Sequence, residues 1–479
     1  MSPILVFSIL AVYFSLLLIT SYFTSKNVSN ANFFMANRQS SWYLVAYGMI
    51  GASLSGVTFI SVPAWVKESQ FSYMAVVFGY VLGYVVIAKV LLPLYYRLNL
   101  LSIYTYLTQR FGFWSHQTGT AFFLLSKMLG ASARLYLAAV VLQLFLFDAL
   151  EVPFFVTVAI TLGLIWLYTF RGGIQTIVWT DTLQTTFMLA AVVATILVLS
   201  QKMDISYLDI PKTIIESDYS QIFFWDWKDS KFFIKQFISG AFITIVMTGL
   251  DQDMMQKNLT CKTLADSQKN MFSLSVIIAF VNVIFLSLGA MLYLYAQKNS
   301  IDLPLKSDEM YPMLAKDHLG TIVGILFVVG VVAAAYSSAD SALTALTTSF
   351  CVDILKIDEK PESEQKNLRM KVHVFMTFVM LLVIVLFDIF NESNVIKAVF
   401  VLASYTYGPL LGLFTFGLYT SWKVKDRFVP FICIVSPILC FFLDKYSVEL
   451  LNGYKFGFEL LLVNGALTFF GLFILRKKY

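Results

Sequence analysis

Long apolar runs recur along the whole chain and constrain its fold more than any other feature. They repeatedly reach the roughly 20 residues that an α-helix needs to cross a bilayer. Hydrophobic residues make up 58% of the 479 residues and charged residues 13%, about half the charged fraction of a typical soluble domain. Alternating strands of about ten residues, as in membrane barrels, are not seen. The sequence predicts an all-α membrane protein with many spans.

Thirteen spans are predicted, and no connection between them is long enough for a sizeable soluble domain. The four cysteines are scattered without a CxxC pair, so neither a disulfide framework nor a zinc site is indicated. The predicted spans are 3–22, 43–66, 73–96, 118–147, 153–170, 178–200, 232–255, 271–297, 319–352, 371–389, 394–420, 427–443 and 457–475.

Lysine and arginine are distributed unequally between the two sets of loops. Nineteen lie in one set and eleven in the other. Because cytoplasmic loops carry the excess of these residues, the first set is predicted to be cytoplasmic, with the N-terminus outside and the C-terminus inside. The net charge of +5 is explained by this topology and gives no indication of nucleic-acid binding. We expect a multi-pass protein of the plasma membrane, in bacteria the inner membrane.

Two predicted spans are rich in glycine, proline and hydroxyl residues at mid-membrane. These are the second span, around Gly51 and Pro63, and the seventh, around Gly240 and Gly249. Such clusters indicate broken helices, which membranes tolerate only where backbone lines a cavity. The two spans are five apart, so a five-span repeat would be inverted. Paired interruptions of this kind point to a transporter's midplane site.

The stretch from Ala333 to Ser341 places hydroxyl and carboxyl side chains inside an apolar span. Residues 334, 337, 338 and 341 follow helical spacing and share one face. Ionisable groups at this depth are rare and line a bundle interior or a water-filled path. The face offers oxygen ligands without sulfur or imidazole, which suits a small hard cation.

Several strings together resemble the sodium:solute symporter family. They are Tyr168 to Ile174 running into Val178-Trp179-Thr180-Asp181, Asp251 to Lys257, the Ser337-Ser338 segment, and Tyr407 to Phe414. The resemblance covers nearly the whole chain. It implies a leucine-transporter-like fold with two inverted five-helix repeats. In this chain the resemblance places a leading helix at 3–22, the two repeats at 43–200 and 232–420, and two extra helices in 427–479. All of these belong to one transport domain.

The resemblance also implies a sodium site between the first broken helix and the Ser337-Ser338 helix. Its ligands would be the backbone carbonyls of Gly51, Leu54 and Ala334 and the hydroxyls of Ser337 and Ser338. Carbonyls of unwound backbone coordinate sodium in carriers of this kind. The alternative is that both serines only bond back to carbonyls four residues earlier.

Some sialic-acid carriers of this family have a second sodium site, and the matching residues here are Asp181, Asp340 and Ser341, with Ser337 shared. Asp340 departs from the family, which has a hydroxyl there. Two converging carboxylates cannot both stay charged without a cation between them. The cluster could therefore bind a second sodium, bind a proton, or pair with a basic residue such as Arg134.

Two cations lie within the predicted fourth span, Lys127 and Arg134, seven residues apart on one stripe. Sialic-acid carriers grip the substrate carboxylate with an arginine on this helix, although that position aligns with Gly130. Arg134 either binds a carboxylate or neutralises Asp181 or Asp340, with Lys127 snorkelling to the membrane surface.

The resemblance places Ser53, Ser55, Thr58 and Tyr73 near the substrate, although packing alone would also favour small polar residues there. The predicted function is sodium-coupled import of a small polar organic solute, such as an organic anion, a sialic acid or a sugar, by alternating access. Sodium is the only cofactor expected, and lipid and solute are the only partners. The alternatives are a proton-coupled or mixed-ion carrier of the same fold, or a solute-sensing, transporter-like receptor. No nucleophile–base constellation indicates an enzyme.

Overall fold

The computed structural model describes residues 3–24, 36–170, 173–390 and 395–477, and helices are the regular elements of these ranges. The apolar helices are α1 (Pro3–Thr24), α2 (Trp42–Ser69), α3 (Tyr73–Arg97), α4 (Phe113–Leu150), α5 (Phe154–Thr169), α6 (Gly173–Lys202), α7 (Phe233–Gly249), α8 (Gln252–Asn258), α9 (Leu264–Lys298), α10 (Thr321–Ile354), α11 (Glu362–Phe390), α12 (Val395–Thr406), α13 (Gly408–Tyr419), α14 (Asp426–Lys445) and α15 (Leu460–Ile474).

Every predicted span coincides with one of these helices or with a bent pair. In the described part of the chain, nine helices are long and apolar enough to cross a membrane, and the count is eleven if each bent pair is one span. The two remaining predicted spans correspond to the shorter apolar helices α5 and α15. The prediction of an all-α membrane protein with broken helices is confirmed.

The second span is interrupted at the predicted place. Within α2, Ser55 adopts φ 53° and ψ 173°, a conformation that costs a non-glycine residue about 1–3 kcal/mol. Such a residue persists only where its surroundings hold it, and Ser55 is buried on all sides but one cavity. Ser55 directly follows Leu54, whose carbonyl is one of the predicted sodium ligands.

The seventh span is broken between α7 and α8, whose axes differ by 70°. A π-helical turn, Ile245–Gly249, ends α7, and such turns often mark functional sites. The side chain of Asp251 then caps α8 by accepting hydrogen bonds from the backbone nitrogens of Asp253 and Met254. The polar residues that predicted this break therefore also begin the following helix.

The eleventh predicted span, 394–420, is also bent, which the sequence analysis did not predict. Helices α12 and α13 meet at Tyr407 with an angle of 46°. Pro409 lies in the first turn of α13, where its missing amide hydrogen costs nothing but prevents α12 from continuing. The span was predicted, and its bend was not.

Helices α2 and α10 form the centre of the bundle. In their most apolar stretches 89% and 83% of the residues are buried, against 28% for α1 and 22% for α14. Helix α10 packs against α2, α4 and α6. The polar residues of α2 and α10 are therefore enclosed by protein on all sides, while the peripheral helices present apolar side chains outward.

Candidate functional site: an ion cluster beside a polar cavity

The two halves of the predicted sodium site lie against each other. A Cβ atom at Gly51 would lie 2.5 Å from Thr185 Oγ1 on α6 and 3.2 Å from Ser337 Oγ on α10, so glycine is what lets α2 lie this close to α6 and α10. Ser338 Oγ donates a 3.3 Å hydrogen bond to the carbonyl of Ala52. Leu54 and Ala334 are buried on the same two helices. Three of the five predicted ligands, Gly51, Ser337 and Ser338, therefore lie where α2 crosses α10.

The alternative interpretation of the two serines is wrong. Ser337 Oγ donates to Asp181 Oδ1 at 2.5 Å and Ser338 bonds to α2, so neither hydroxyl returns to a carbonyl of its own helix. Ser341 does so instead, donating to the carbonyl of Ser337 at 2.8 Å. Hydroxyls directed away from their own helix are available as ligands for an ion held between helices.

Thr185 completes this crossing and was missed in the sequence. Its Oγ1 accepts a 3.1 Å hydrogen bond from the backbone nitrogen of Gly51, which ties the interrupted helix α2 to α6. Thr185 lies four residues after Asp181, one helical turn further on the same face. That spacing was the available signal.

Asp181 pairs with a lysine that the sequence analysis did not identify as part of the site. Lys257 Nζ lies 2.7 Å from Asp181 Oδ2, and both side chains are 1% exposed. The expectation that Arg134 neutralises Asp181 is therefore wrong. Lys257 was counted among the cytoplasmic loop charges, because it follows the apolar run. The bend between α7 and α8 folds it back into the protein.

Asp340 is fully buried and held by two hydroxyls. Tyr168 donates to its Oδ2 at 2.9 Å, and Ser341 Oγ donates to its Oδ1 at 3.1 Å. Arg134 is not its partner, and the charges of Asp181 and Lys257 both act on it. The predicted members of the second ion site therefore do lie together, with Lys257 among them.

All six predicted substrate residues line one cavity between α2, α3, α4 and α7. Its volume is about 90 Å³, several times the roughly 10–15 Å³ that one buried water needs on a comparable measure. The predicted residues in its wall are Ser53, Ser55, Thr58, Tyr73, Lys127 and Arg134. Tyr80, Tyr84, Thr248 and Asn282 also line it and were missed, because single polar residues in spans carry no distinguishing pattern.

Lys127 is clamped by α8 and does not snorkel. Its Nζ lies 2.7 Å from Asp253 Oδ2 and 3.2 Å from Asp251 Oδ1. Tyr407 donates its hydroxyl to Asp251 Oδ2 at 2.5 Å, at the bend between α12 and α13. The snorkelling interpretation is wrong, because Lys127 is 4% exposed. This clamp ties the cavity wall to both bent pairs.

Arg134 has a different environment from Lys127. Among the described residues it makes no ion pair or hydrogen bond, and it lines the cavity and a small adjoining void beside Tyr407. A guanidinium is always charged and presents a planar array of donors that matches a carboxylate. Within the described residues, Asn282 Oδ1 likewise has no hydrogen-bond partner, so the cavity wall offers an unused acceptor beside the guanidinium of Arg134.

Comparison with known proteins agrees with this geometry. The model of the sodium:solute symporter family matches residues 33–426. The sodium/sialic acid symporter NanT of Aliivibrio fischeri is 25% identical over 409 residues, covering 83% of this chain and 79% of that protein. SiaT of Proteus mirabilis is 24% identical, covering 92% and 89%. The sodium-coupled monocarboxylate transporter 1 of Xenopus laevis is 25% identical, covering 81% and 63%.

Solved structures show the same fold. The substrate-bound, outward-open structure of a sodium-coupled sialic acid symporter superposes with a TM-score of 0.84 at 20% identity, covering 99% of each chain. Mhp1, a nucleobase-cation-symport-1 family transporter, superposes with a TM-score of 0.59 at 15% identity, covering 92% of this chain and 94% of that one.

The family match, the sodium-coupled relatives and the superposed fold define a sodium-coupled solute carrier with the leucine-transporter fold, a multi-pass membrane protein and not an enzyme. The chain belongs to the sodium:solute symporter family.

Proposed function

We propose that this protein imports a small polar solute that carries a carboxylate, a sialic acid or a related organic anion, and drives the import with the sodium gradient. The observation that carries the proposal is Arg134, a cation without an ion pair among the described residues, in the wall of the cavity. The relatives named above carry sialic acid or monocarboxylates, and both solutes are anions.

In this proposal sodium binds at the crossing of α2 and α10. The carbonyls of Gly51, Leu54 and Ala334 and the hydroxyls of Ser337 and Ser338 replace its water shell. All five are neutral ligands, so the ion is held weakly enough to leave again. Because sodium joins α2 to α10, it favours the conformation in which the cavity wall is complete. Sodium and solute must then increase each other's affinity by the same factor.

In this proposal one cavity residue recognises the charge of the solute, and the others recognise its uncharged polar groups. Arg134 binds the carboxylate of the solute, and Lys127 remains neutralised by Asp251 and Asp253 and positions the wall beside it. Ser53, Ser55, Thr58 and Tyr73 bind hydroxyl or amide groups of the solute. Tyr73 already shares a 2.9 Å hydrogen bond with Tyr80, which holds its hydroxyl in place.

We further propose that the protein resides in the plasma membrane, with the N-terminus outside and the C-terminus in the cytoplasm. The excess of lysine and arginine on one set of loops supports this orientation. The repeats at 43–200 and 232–420 would then rock against each other around the central cavity.

The test is uptake by proteoliposomes that contain the purified protein. Radiolabelled sialic acid, lactate and glucose are offered separately, with an inward gradient of either sodium or potassium chloride. We expect sodium-dependent accumulation of at least one anion and none of glucose. Accumulation of glucose alone would contradict the carboxylate assignment, and equal uptake with potassium would contradict sodium coupling.

Arg134→Gln identifies the proposed carboxylate ligand. We expect the KM for the anion to rise by 10–100-fold, since one charge-assisted, bidentate interaction is worth roughly 1.5–3 kcal/mol. The matched control is Arg427→Gln at the exposed start of α14, which should leave KM unchanged. An unchanged KM for Arg134→Gln would remove this residue from the proposed site.

A further inference from the structure

Lys257 is a buried cation among the residues that would form a second ion site. It extends from α8 into the space between α6 and α10, with 1% of its surface exposed. Its Nζ donates to Asp181 Oδ2 at 2.7 Å, and Ser337 Oγ donates to Asp181 Oδ1 at 2.5 Å. Both carboxylate oxygens of Asp181 are therefore already engaged.

The other residues of the predicted second ion site are also engaged. Asp340 accepts hydrogen bonds from Tyr168 and Ser341, one on each oxygen. Ser341 additionally bonds to the carbonyl of Ser337. A sodium ion entering this cluster would have to displace these partners while the lysine ammonium remained beside it.

The charges of the cluster favour one mobile cation over two. With both carboxyls ionised, Asp181 and Asp340 carry two negative charges, the most that this cluster can hold, and Lys257 supplies one positive charge. A single sodium at the neighbouring site, which shares Ser337 with the cluster, brings the total to zero. Buried charges are stable only when they are compensated, and a second sodium would leave an uncompensated positive charge.

We propose that the ammonium of Lys257 permanently replaces a second sodium ion, so that this carrier binds one sodium per transport cycle. The inference rests on the proposed sodium coupling and specifies its stoichiometry. The proposal also explains why Lys257 of α8 pairs with Asp181 of α6. The lysine ammonium is a cation that stays bound to the protein throughout the transport cycle.

The test measures binding of radioactive ²²Na⁺ to the purified protein, with sodium alone as the ligand. The wild-type protein should bind one ion per chain. Lys257→Met should bind two, because sodium takes the place of the lost ammonium between Asp181 and Asp340. The charge-matched double variant Asp181→Asn/Lys257→Met should bind one. The control Lys235→Met removes another buried lysine, paired with Glu459 at 3.0 Å, and should also bind one.

The outcomes separate this inference from the proposed function. Two ions per wild-type chain, or only one in Lys257→Met, would overturn the inference and leave sodium symport standing. No bound sodium in the wild type would overturn sodium coupling itself. If Lys257→Met is unstable, its thermal midpoint should rise more steeply with sodium than that of the wild type. An equal rise, or failure to fold at any sodium concentration, would overturn the inference.

Discussion

Ser337 has two functions in the proposed site. Its hydroxyl is a predicted sodium ligand and also donates to Asp181, so one side chain connects the ion to the buried Asp181–Lys257 pair. Removing the hydroxyl of Ser337 would therefore remove a sodium ligand and would also leave Asp181 without a hydrogen-bond donor. A buried acceptor without its donor costs about 1–3 kcal/mol of stability.

Ser337→Ala should weaken sodium binding at least tenfold, measured as the ²²Na⁺ concentration that half-saturates the purified protein. The matched control is Ser349→Ala on the same helix, whose buried hydroxyl has no hydrogen-bond partner in the described part of the chain. That control should keep the wild-type affinity. Equal sodium affinity in Ser337→Ala and the wild type would show that the predicted site lies elsewhere.

Lys127→Met should destabilise the protein by about 3–5 kcal/mol, because it leaves two buried carboxylates, Asp251 and Asp253, without their shared cation. Thermal unfolding in detergent measures the effect. Lys212→Met serves as the control, because Lys212 pairs with Glu216 on the protein surface, with 4.0 Å between Nζ and Oε1. Exposed pairs of this kind contribute less than about 1 kcal/mol to stability. Similar thermal midpoints for the two variants would mean that the clamp contributes no stability.

At the scale of elements, glycine sets how closely the helices approach. Helices α3 and α7 cross through Gly79 and Gly240. A Cβ at Gly79 would collide with the carbonyl of Phe237, and one at Gly240 with the carbonyl of Val76. The obstacles are backbone atoms, which cannot turn aside as a side chain can. Small residues at such crossings are typical of membrane helices.

Gly240→Val should therefore separate α3 from α7 and cost at least the 1–3 kcal/mol typical of overpacking. Size-exclusion chromatography and thermal unfolding would report a smaller folded fraction. The control Gly163→Ala lies on α5 at a place where an added Cβ meets nothing within 4 Å, and it should behave as the wild type. A folded Gly240→Val protein with an unchanged midpoint would contradict the observed crossing.

The helix breaks differ in how well the sequence predicts them. In α2, and between α7 and α8, several glycine and hydroxyl residues coincide, and both breaks were predicted. At Tyr407 only Gly408 and Pro409 signal the bend, and one proline within an apolar run can also be accommodated in a membrane helix. At this bend the hydroxyl of Tyr407 donates a hydrogen bond to Asp251. The bend therefore places α12 and α13 against the ion pairs of Lys127 with Asp251 and Asp253.

At the scale of the whole molecule, the orientation prediction can be tested directly. The four cysteines are buried, and they are replaced by serine before single cysteines are introduced at exposed positions in opposite loops. Lys306→Cys should react with a membrane-impermeant maleimide in intact cells. Lys360→Cys should react only after the cells are permeabilised. The reverse pattern would invert the proposed orientation.

A larger cavity, of about 890 Å³, opens beside the loop that contains residues 304–309. Carboxylates outnumber lysines in its wall, and burial raises the pKa of one of them, Asp308, above its usual range. With the proposed orientation, this cavity faces outward. A wall with excess negative charge attracts cations from solution, which is consistent with a carrier that takes sodium from outside.

The sequence by itself determined the membrane class, the spans and two helix breaks, whereas the cavity residues were predicted only in part and mostly through the family resemblance. The class, the spans and the breaks depend on local properties: the length of apolar runs, the spacing of residues along a helix and the backbone freedom of glycine. Only the tertiary structure decided which buried charges are paired. In the folded protein Lys257 pairs with Asp181, and Lys127 pairs with Asp251 and Asp253. Arg134 lines the cavity. Ion pairing depends on where side chains from distant helices meet, and no spacing along the chain specifies that.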